Sequence, residues 1–302
     1  MISKTKAILL MLLITTFSGF SNGWASENPS EKTVFVSAAW TQQNLKNIKL
    51  IDLSSQLEYQ KFHLPNALWV NYKWLIKPKE GIELSGGSDY MARVLSQLGI
   101  TPQDTLVLYD GMGNLDASRL YWELKKLRHQ KVYLLNGGLV SWVLQGYAVT
   151  QDLPKIQAAN YPTPAQDDTA SLTATQQQVS QVLQNHQALL MDTRTLEEYT
   201  GDPKEPRTGH IPGAVLFPWD ASLDSKNGFQ QRTDAQLMEM LALTQVTDKK
   251  HPIILYCNTA HRAARLFPML KHLGFEQVSL YDGSIQEWMI SPNNPLKTGM
   301  EP

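Results

Sequence analysis

The sequence has a single cysteine, Cys257, in 302 residues, and so it has no pair from which a disulfide could form within one chain. It also has no uninterrupted apolar run of the roughly 20 residues that a membrane-spanning helix needs. Neither sign of charge dominates, since 27 basic residues stand against 28 acidic ones and the two kinds are interspersed. A disulfide-built secreted scaffold is therefore excluded, and nothing indicates a nucleic-acid partner.

The first 25 residues have the pattern of a secretory signal peptide. Lys4 and Lys6 precede an apolar stretch at residues 7–14, and small residues surround a cleavage point after Ala25. This stretch is too short to span a bilayer, so we expect an exported, periplasmic protein with no membrane attachment after cleavage. Cleavage removes two lysines and leaves 302 − 25 = 277 residues with a formal charge of 25 − 28 = −3, which is enough chain for two domains.

Cys257 lies where a predicted strand, residues 253–256, gives way to a predicted helix that begins near Ala260. A loop in this position presents free backbone N–H groups and the positive end of a helix dipole, and Arg262 adds a full charge. These surroundings stabilise an anion, and the anion they favour here is the thiolate of Cys257 itself. The alternative is a small buried cysteine that closes the strand and has no chemistry.

The chain repeats one order of motifs at nearly constant spacing. The spacing is 140 residues for Asp52 and Asp192 and for Tyr59 and Tyr199, 147 for His63 and His210 and for Tyr109 and Tyr256, and 146 for Trp142 and Trp288. Spacing that is constant within segments, with one insertion at residues 201–207, indicates a duplicated domain. Apolar strands alternate with helices in each copy, so we predict an α/β protein of two tandem domains, each a mostly parallel sheet with helices on both faces.

The predicted boundaries follow from the composition between the two copies. Residues 150–172 are rich in Gln, Asp, Pro, Ala and Thr and are interpreted as a linker. The first domain is then predicted at residues 33–149 and the second at residues 173–302.

The second copy carries motifs that match a known family. They are Asp192-Thr-Arg194, Glu198-Tyr199, Gly209-His-Ile-Pro-Gly-Ala214, Tyr256-Cys257 and Tyr281-Asp-Gly-Ser284 with Trp288. In this order and spacing, over nearly all of the mature length, the chain resembles the two-domain rhodanese-like sulfurtransferases. The resemblance implies a catalytic C-terminal domain and an N-terminal domain that has lost the cysteine. The first copy has Asp110 at the aligned position and Leu115 opposite Arg262, so it is expected to be catalytically silent.

The resemblance also implies an activity. A sulfurtransferase of this kind moves a sulfane sulfur from an anionic donor, of the thiosulfate or 3-mercaptopyruvate class, to cyanide or a thiol through a persulfide on Cys257. Two displacement steps need no metal and no organic cofactor. The loop must stabilise a negative sulfur in both states. The residues assigned to that task, mainly through their backbone N–H groups, are Asn258, Thr259, Ala260, His261, Arg262 and Ala263.

Three arginines are candidates for binding the anionic donor. Arg262 either stabilises the persulfide and the donor or caps nearby carbonyl groups at the surface. Arg194 matches an arginine that lies near the donor in some members of the family, and its alternative is a buried partner for Asp192 or Glu198. Arg207, on the insertion, is a candidate for carboxylate recognition.

Three further residues of the loop and helix raise questions. His261 either raises the ionised fraction of the thiol, transfers a proton or points to solvent, and solvent exposure is the favoured interpretation. Ala260 stands where many members of the family have glycine, and it would resist a left-handed backbone angle. Pro268 falls inside the following helix and is expected to kink it.

Two rival functions remain open. A cysteine phosphatase would use the same strand, loop and arginine, but that family places five residues between cysteine and arginine, whereas four separate Cys257 from Arg262. A non-enzymatic sulfur carrier or protein-binding module is also consistent with the fold. A metal site at Cys257 and His261 is not predicted, because no further ligands are grouped with them.

Overall fold

The computed structural model describes Pro29, residues 33–111 and residues 113–302. The predicted signal peptide lies outside the described residues. The rest of the chain forms two five-stranded parallel sheets, one in each half, with helices packed around them. The α/β architecture predicted from the repeat is confirmed.

The first half is built on a sheet with the strand order β1-β7-β6-β2-β3. Its strands are β1 (Phe35–Val36), β2 (Lys49–Asp52), β3 (Leu68–Trp69), β4 (Ile76–Lys79), β5 (Ile82–Ser85), β6 (Leu106–Tyr109) and β7 (Val132–Leu135). Its helices are α1 (Ala38–Asn44), α2 (Gln56–Lys61), α3 (Ser88–Gln97), α4 (Leu115–Lys126) and α5 (Gly138–Leu144). The strands β4 and β5 form a separate antiparallel hairpin.

The second half repeats this arrangement with the strand order β8-β14-β13-β9-β10. Its strands are β8 (Thr173–Ala174), β9 (Leu189–Asp192), β10 (Ala214–Leu216), β11 (Leu223–Asp224), β12 (Gln230–Gln231), β13 (Ile253–Tyr256) and β14 (Val278–Tyr281). The helices are α6 (Thr169–Leu172), α7 (Gln176–Asn185), α8 (Leu196–Thr200), α9 (Asp234–Leu243), α10 (His261–His272) and α11 (Ser284–Trp288). The short helix α6 occupies the end of the segment predicted as a linker.

The central strand β13 is buried over its whole length, as expected for an apolar strand covered on both faces of a parallel sheet. It pairs with β9 on one side and β14 on the other, with Leu255 beside Met191 and Leu280. The carboxyl ends of these three strands therefore meet at one edge of the sheet, and ligands of such sheets bind outside that edge.

The two halves share one apolar core. Helices α4 and α10 lie against each other, and the rings of Tyr121 and Phe267 are 6.3 Å apart across their contact. The core cluster around them includes buried side chains of both sheets. No helix in the described part of the chain is long and apolar enough to cross a membrane.

Candidate active site

Cys257 directly follows β13 at the edge where the central strands end. The residue is buried, with 1% of its surface exposed. The hydroxyl of Ser284 accepts hydrogen bonds from the N–H groups of Cys257 (3.2 Å) and Ala260 (2.9 Å), and it donates to the carbonyl of Tyr281 (2.8 Å). The end of β14 therefore fixes both ends of the loop that follows β13.

The other backbone N–H groups of this loop are available. Within the described ranges, no protein acceptor is bonded to the N–H groups of Asn258, Thr259, His261, Arg262 and Ala263. The last three begin α10, where a helix has no acceptor of its own and its dipole adds positive potential. The loop predicted from the sequence thus offers five donors at the end of β13.

The equivalent loop of the first half shows what such donors bind. Asp110 follows β6 as Cys257 follows β13. Its carboxylate accepts hydrogen bonds from the N–H groups of Asn114 (2.7 Å), Asp116 (2.8 Å) and Ala117 (3.0 Å). The first half therefore satisfies these donors with its own carboxylate, whereas the second half places a sulfur at the start of its loop.

The helices correct one position of the sequence alignment. Helix α4 begins Leu-Asp-Ala-Ser-Arg-Leu and α10 begins His-Arg-Ala-Ala-Arg-Leu, so they correspond at a spacing of 262 − 116 = 146. The residue equivalent to Arg262 is Asp116, not Leu115, because the loop after Asp110 is one residue longer than the loop after Cys257. The first half thus has an acid where the second has a base.

Arg262 is paired with Glu198 of α8. Its Nη1 donates to Oε2 at 2.6 Å and its Nη2 to Oε1 at 2.8 Å, and the amide of Asn258 donates to Oε1 at 3.0 Å. Arg262 lowers the pKa of Glu198 to about 2. The hydrogen bonds to Glu198 raise the pKa of Arg262, and Cys257 raises it by a smaller amount. The guanidinium therefore lies between a carboxylate and the sulfur, and Glu198 is a partner of Arg262 that the sequence did not indicate.

Arg194 is held inside the second half by Asp192. Its Nη2 donates to Asp192 Oδ2 at 2.6 Å and to the carbonyl of Gly209 at 2.8 Å, and its Nε lies 3.0 Å from both carboxylate oxygens. Only 5% of Arg194 is exposed. Of the two interpretations from the sequence, the structure has the buried pair, and these donors do not face a substrate.

Arg207 is also occupied. Its guanidinium donates to the carbonyl groups of Met289 (3.3 Å), Ser291 (3.0 Å) and Pro292 (3.0 Å). These carbonyls follow α11, so Arg207 satisfies the end of that helix. The structure gives no support to the prediction that it recognises a carboxylate.

The insertion and the loop after Cys257 enclose a cleft of about 640 Å³. The carboxylates of Glu197, Glu198 and Asp202 line it, together with Arg194 and Arg207. Both arginines are bonded to protein oxygens, Arg194 to Asp192 and Arg207 to the carbonyls after α11, and Glu198 is paired with Arg262.

His261 points to the first half of the molecule and not to open solvent. Its Nε2 lies 2.5 Å from Oδ1 of Asp116, and the two side chains are 31% and 30% exposed. The ring of Tyr72 packs against the imidazole with centroids 4.4 Å apart. The expectation of a solvent-exposed histidine holds only in part, because about a third of the side chain is exposed and the packing of α4 on α10 brings Asp116 to its Nε2.

Comparison with known sequences decides the family. The profile of the Rhodanese-like domain matches the chain twice, at residues 37–145 and 175–291. The chain belongs to the rhodanese family. A thiosulfate sulfurtransferase of Pseudomonas aeruginosa is 32% identical to this rhodanese over 253 residues, which cover 82% of this chain and 90% of the relative.

Two more proteins resemble this rhodanese over most of its length. The sulfur carrier protein TtuD of Thermus thermophilus is 29% identical over 288 residues, covering 89% of this chain and 98% of the relative. The crystal structure of an anaerobic ergothioneine biosynthesis enzyme from Chlorobium limicola superposes with a TM-score of 0.77 at 22% identity, covering 89% of this chain and 70% of that one. At this identity the structural likeness shows the fold alone.

The first rhodanese domain also reaches the second domain through a buried arginine that the sequence reading missed. Arg119 of α4 is fully buried, and its Nη2 lies 2.7 Å from Oδ1 of Asp282, two residues before Ser284. Burial opposes its charge, but Asp282 and then Glu123 raise the pKa of Arg119. The backbone N–H of Ser85 donates to the other carboxylate oxygen of Asp282 at 2.7 Å. The first domain thereby fixes the turn that holds the loop of Cys257.

A second buried arginine, Arg265, occupies the equivalent position of α10. Its Nε donates to the carbonyl of Gly113 at 2.7 Å and its Nη2 to Oε1 of Gln231 at 2.7 Å. Burial lowers the pKa of Arg265 to about 10. The sequence does contain a signal for both residues, because an arginine stands at the fifth position of each of the two equivalent helices, on a helix face that is otherwise apolar.

The two departures from the family pattern have structural outcomes. Ala260 is buried and adopts the left-handed conformation, with φ +58°, so the loop requires that angle and alanine accepts it. Pro268 is buried within α10, which continues to His272. Among the described residues, no group of three or more His, Cys, Asp or Glu side chains could hold a metal ion.

Proposed function

We propose that this rhodanese transfers a sulfane sulfur from an anionic donor, thiosulfate in the first instance, to a thiophilic acceptor through a persulfide on Cys257. The observation that carries the proposal is the set of free N–H donors beside Cys257, two of which, those of Arg262 and Ala263, have counterparts in the first domain that bind the carboxylate of Asp110. Donors that bind a carboxylate also suit a thiolate or a persulfide sulfur, since each is an anion at the end of the strand.

The proposed reaction has two displacement steps at sulfur. The thiolate of Cys257 attacks the outer sulfur of thiosulfate, a new S–S bond forms, and the S–S bond of thiosulfate breaks as sulfite leaves with the electron pair. The acceptor then attacks the outer sulfur of the persulfide, and Cys257 leaves as a thiolate. The electrons balance within the reactants, so neither step requires a redox partner.

The backbone donors do more of the stabilisation in this scheme than Arg262. Because Arg262 is held by both oxygens of Glu198, the pair presents little net charge to the sulfur. The N–H groups of the loop and of the first turn of α10 are fixed and have no competing acceptor among the described residues. Fixed dipoles of this kind stabilise a developing negative charge without reorganising.

A sulfur carrier is the second candidate function. Cys257 is almost fully buried, and a persulfide there would be shielded from small acceptors in solution. A relative named as a sulfur carrier protein is 29% identical to this chain and covers 89% of it. A phosphatase is disfavoured, because Glu198 already occupies both arms of the guanidinium that such an enzyme would turn towards phosphate.

The test is the intact mass of the protein after incubation with thiosulfate or, separately, 3-mercaptopyruvate. We expect a gain of about 32 mass units in the wild type, loss of that mass on adding cyanide, and no gain in Cys257→Ser. A sulfur that is gained but transferred to neither cyanide nor a thiol would favour the carrier. A gain that persists in Cys257→Ser would contradict the proposed nucleophile.

We also propose that the protein is exported to the periplasm, on the strength of the charge and apolar pattern of residues 1–25. The N-terminal sequence of protein from a periplasmic extract is expected to begin at Ser26. A cytosolic protein that retains residues 1–25 would contradict this.

A further inference from the structure

The two types of acceptor differ in what they need from the protein. Sulfite, the leaving group of the loading step, attacks as an anion above neutral pH and brings no proton to the persulfide, whereas cyanide arrives mostly as HCN at neutral pH. A thiol has an ordinary pKa of about 8.5 and is mostly protonated at neutral pH, so a base must take its proton before or during the attack. The loop of Cys257 has one side chain suited to that task, His261.

His261 is positioned by the first domain at the entrance to the loop. It is the first residue of α10, four positions after Cys257, and its Nε2 lies 2.5 Å from Oδ1 of Asp116 on α4. About a third of each side chain is exposed, so the pair is accessible whereas the sulfur is buried. An acceptor in solution can therefore reach His261, which lies four residues after the residue that carries the sulfur.

The carboxylate sets the tautomer of the ring. Because Nε2 faces a carboxylate, which only accepts, Nε2 carries a proton in this pair, and in the neutral imidazole the lone pair is then on Nδ1. No hydrogen bond to Nδ1 is formed by the residues that the structure describes. The ring of Tyr72 packs on the imidazole and restricts its rotation, and burial raises the pKa of Tyr72, which keeps that neighbour neutral. Arg262, the next residue of the same helix, is held by Glu198. Tyr72 itself lies near the charged or titratable groups of Arg119, Cys257, Asp116 and Glu83.

We propose that His261 is the general base for thiol acceptors and that Asp116, from the otherwise silent first domain, is its positioning residue. The inference rests on the proposed function. The thiol gives its proton to Nδ1 of His261, its sulfur attacks the outer sulfur of the persulfide, and the S–S bond to Cys257 breaks with its electron pair remaining on Cys257. The product is the persulfide of the acceptor, and the imidazolium returns the proton to solvent.

The test compares the discharge of one loaded persulfide by two acceptors. Wild type, His261→Gln, Asp116→Asn and the control His251→Gln, an exposed histidine of the second domain, are loaded with thiosulfate, freed of excess thiosulfate and then given sulfite or cysteine. The rate at which the added sulfur mass disappears is followed at several pH values. Discharge by cysteine should fall by roughly 10²-fold or more in His261→Gln and by about 10-fold in Asp116→Asn. Discharge by sulfite above neutral pH should stay within about twofold, and the control should match wild type with both acceptors.

The pH profile separates a base from a structural role. In His261→Gln the rate with cysteine should rise with the thiolate fraction and approach the wild-type rate above a pH of about 8.5. Equal losses with sulfite and cysteine, or an unchanged rate with cysteine, would overturn the inference and leave the proposed function intact. If wild type gains no sulfur before the acceptor is added, the proposed function fails and this inference fails with it.

Discussion

The two halves of this rhodanese place different groups at the same point of the same fold. In the first half the carboxylate of Asp110 accepts three N–H groups from its own loop. In the second half Cys257 stands at that point, and the corresponding N–H groups of Arg262 and Ala263 remain without a protein acceptor within the described part of the chain. The carboxylate of Asp110 occupies the N–H groups of its loop, so they cannot bind another anion. The N–H groups beside Cys257 stay available to stabilise a reacting anion. The same loop is therefore structural in one half and reactive in the other.

The paired helices show a second difference of this kind. Arg119 of α4 contacts the carboxylate of Asp282 in the second half, but the equivalent Arg265 of α10 contacts only the neutral oxygens of Gly113 and Gln231 among its hydrogen bonds. Accordingly the pKa of Arg119 is raised, although burial opposes it, and burial lowers that of Arg265. The half with the thiol is held by an ion pair from its neighbour, whereas Arg265 reaches the silent half through one neutral hydrogen bond, to Gly113, and through its electrostatic interaction with Asp110.

The largest expected effect comes from removing these arginines one at a time. Arg119→Met leaves Asp282 buried without its cation and should lower the free energy of unfolding by roughly 3–5 kcal/mol. Arg265→Met leaves only neutral acceptors and should lower it by about 1–3 kcal/mol. Urea unfolding followed by tryptophan fluorescence measures both, with the exposed Arg128→Met as the control. Equal losses of stability in the two variants would contradict the conclusion that Arg119 and Arg265 differ in the charge of their partners.

The next effect concerns the serine that only the second half has, since its counterpart in the first half at the same spacing, 284 − 146 = 138, is Gly138. Ser284→Ala leaves the N–H groups of Cys257 and Ala260 unbonded, which should cost about 1–3 kcal/mol of stability. Persulfide formation from thiosulfate should slow by roughly 10- to 100-fold as the loop loses its anchor. The control is Ser279→Ala, a half-buried serine on β14, the strand that precedes Ser284. Unchanged loading in Ser284→Ala would show that the loop does not depend on this anchor.

Asp110→Asn tests the structural half. The amide nitrogen cannot accept a hydrogen bond, so at least one N–H of the loop loses its acceptor and the free energy of unfolding should fall by about 1–2 kcal/mol. Persulfide loading at Cys257 should stay at the wild-type rate, as measured by intact mass. Loading that falls together with stability would mean that the first loop takes part in the chemistry.

Glu198 provides a pH-dependent comparison with Glu58, which forms the same capping box in the first half but has no ion pair among the described residues. Because Arg262 lowers the pKa of Glu198 from 4.5 to about 2, the stabilisation from this pair is complete above pH 4.5 and is lost as the pH falls towards 2. The pair is partly exposed, so its contribution should be below about 1 kcal/mol. The stability difference between wild type and Glu198→Gln should therefore shrink between pH 5 and pH 2, and the difference for Glu58→Gln should change less. A difference for Glu198→Gln that is independent of pH would contradict the assignment.

The smallest effect is expected at Ala260. Glycine removes the strain of a left-handed alanine but loses a buried methyl group and adds entropy to the unfolded chain, so Ala260→Gly should stay within about 1 kcal/mol of wild type. Ala263→Gly makes the same change at a helical position of the same loop and should be less stable than Ala260→Gly by about 1 kcal/mol. Equal stabilities of the two variants, measured by urea unfolding, would show that the backbone angle of Ala260 stores no strain.

The sequence by itself determined the repeat, the α/β fold and the position of the thiol. Strand and helix periodicity is local, and the motif spacing of 140 to 147 residues recorded the duplication directly. The place of Cys257 followed from the same reasoning, since the end of an apolar strand before a helix defines the loop.

Only the tertiary structure decided the partners of the charged side chains. From the sequence, Arg194 could bind either the anionic sulfur donor or a buried carboxylate, and the structure pairs it with Asp192. The sequence did not connect Arg262 with Glu198. It favoured solvent exposure for His261, whereas the structure pairs this residue with Asp116, which is 145 residues away. Such pairs depend on how α4 packs against α10 across the two halves. No local periodicity encodes that packing, because it is set by the apolar core that both halves share.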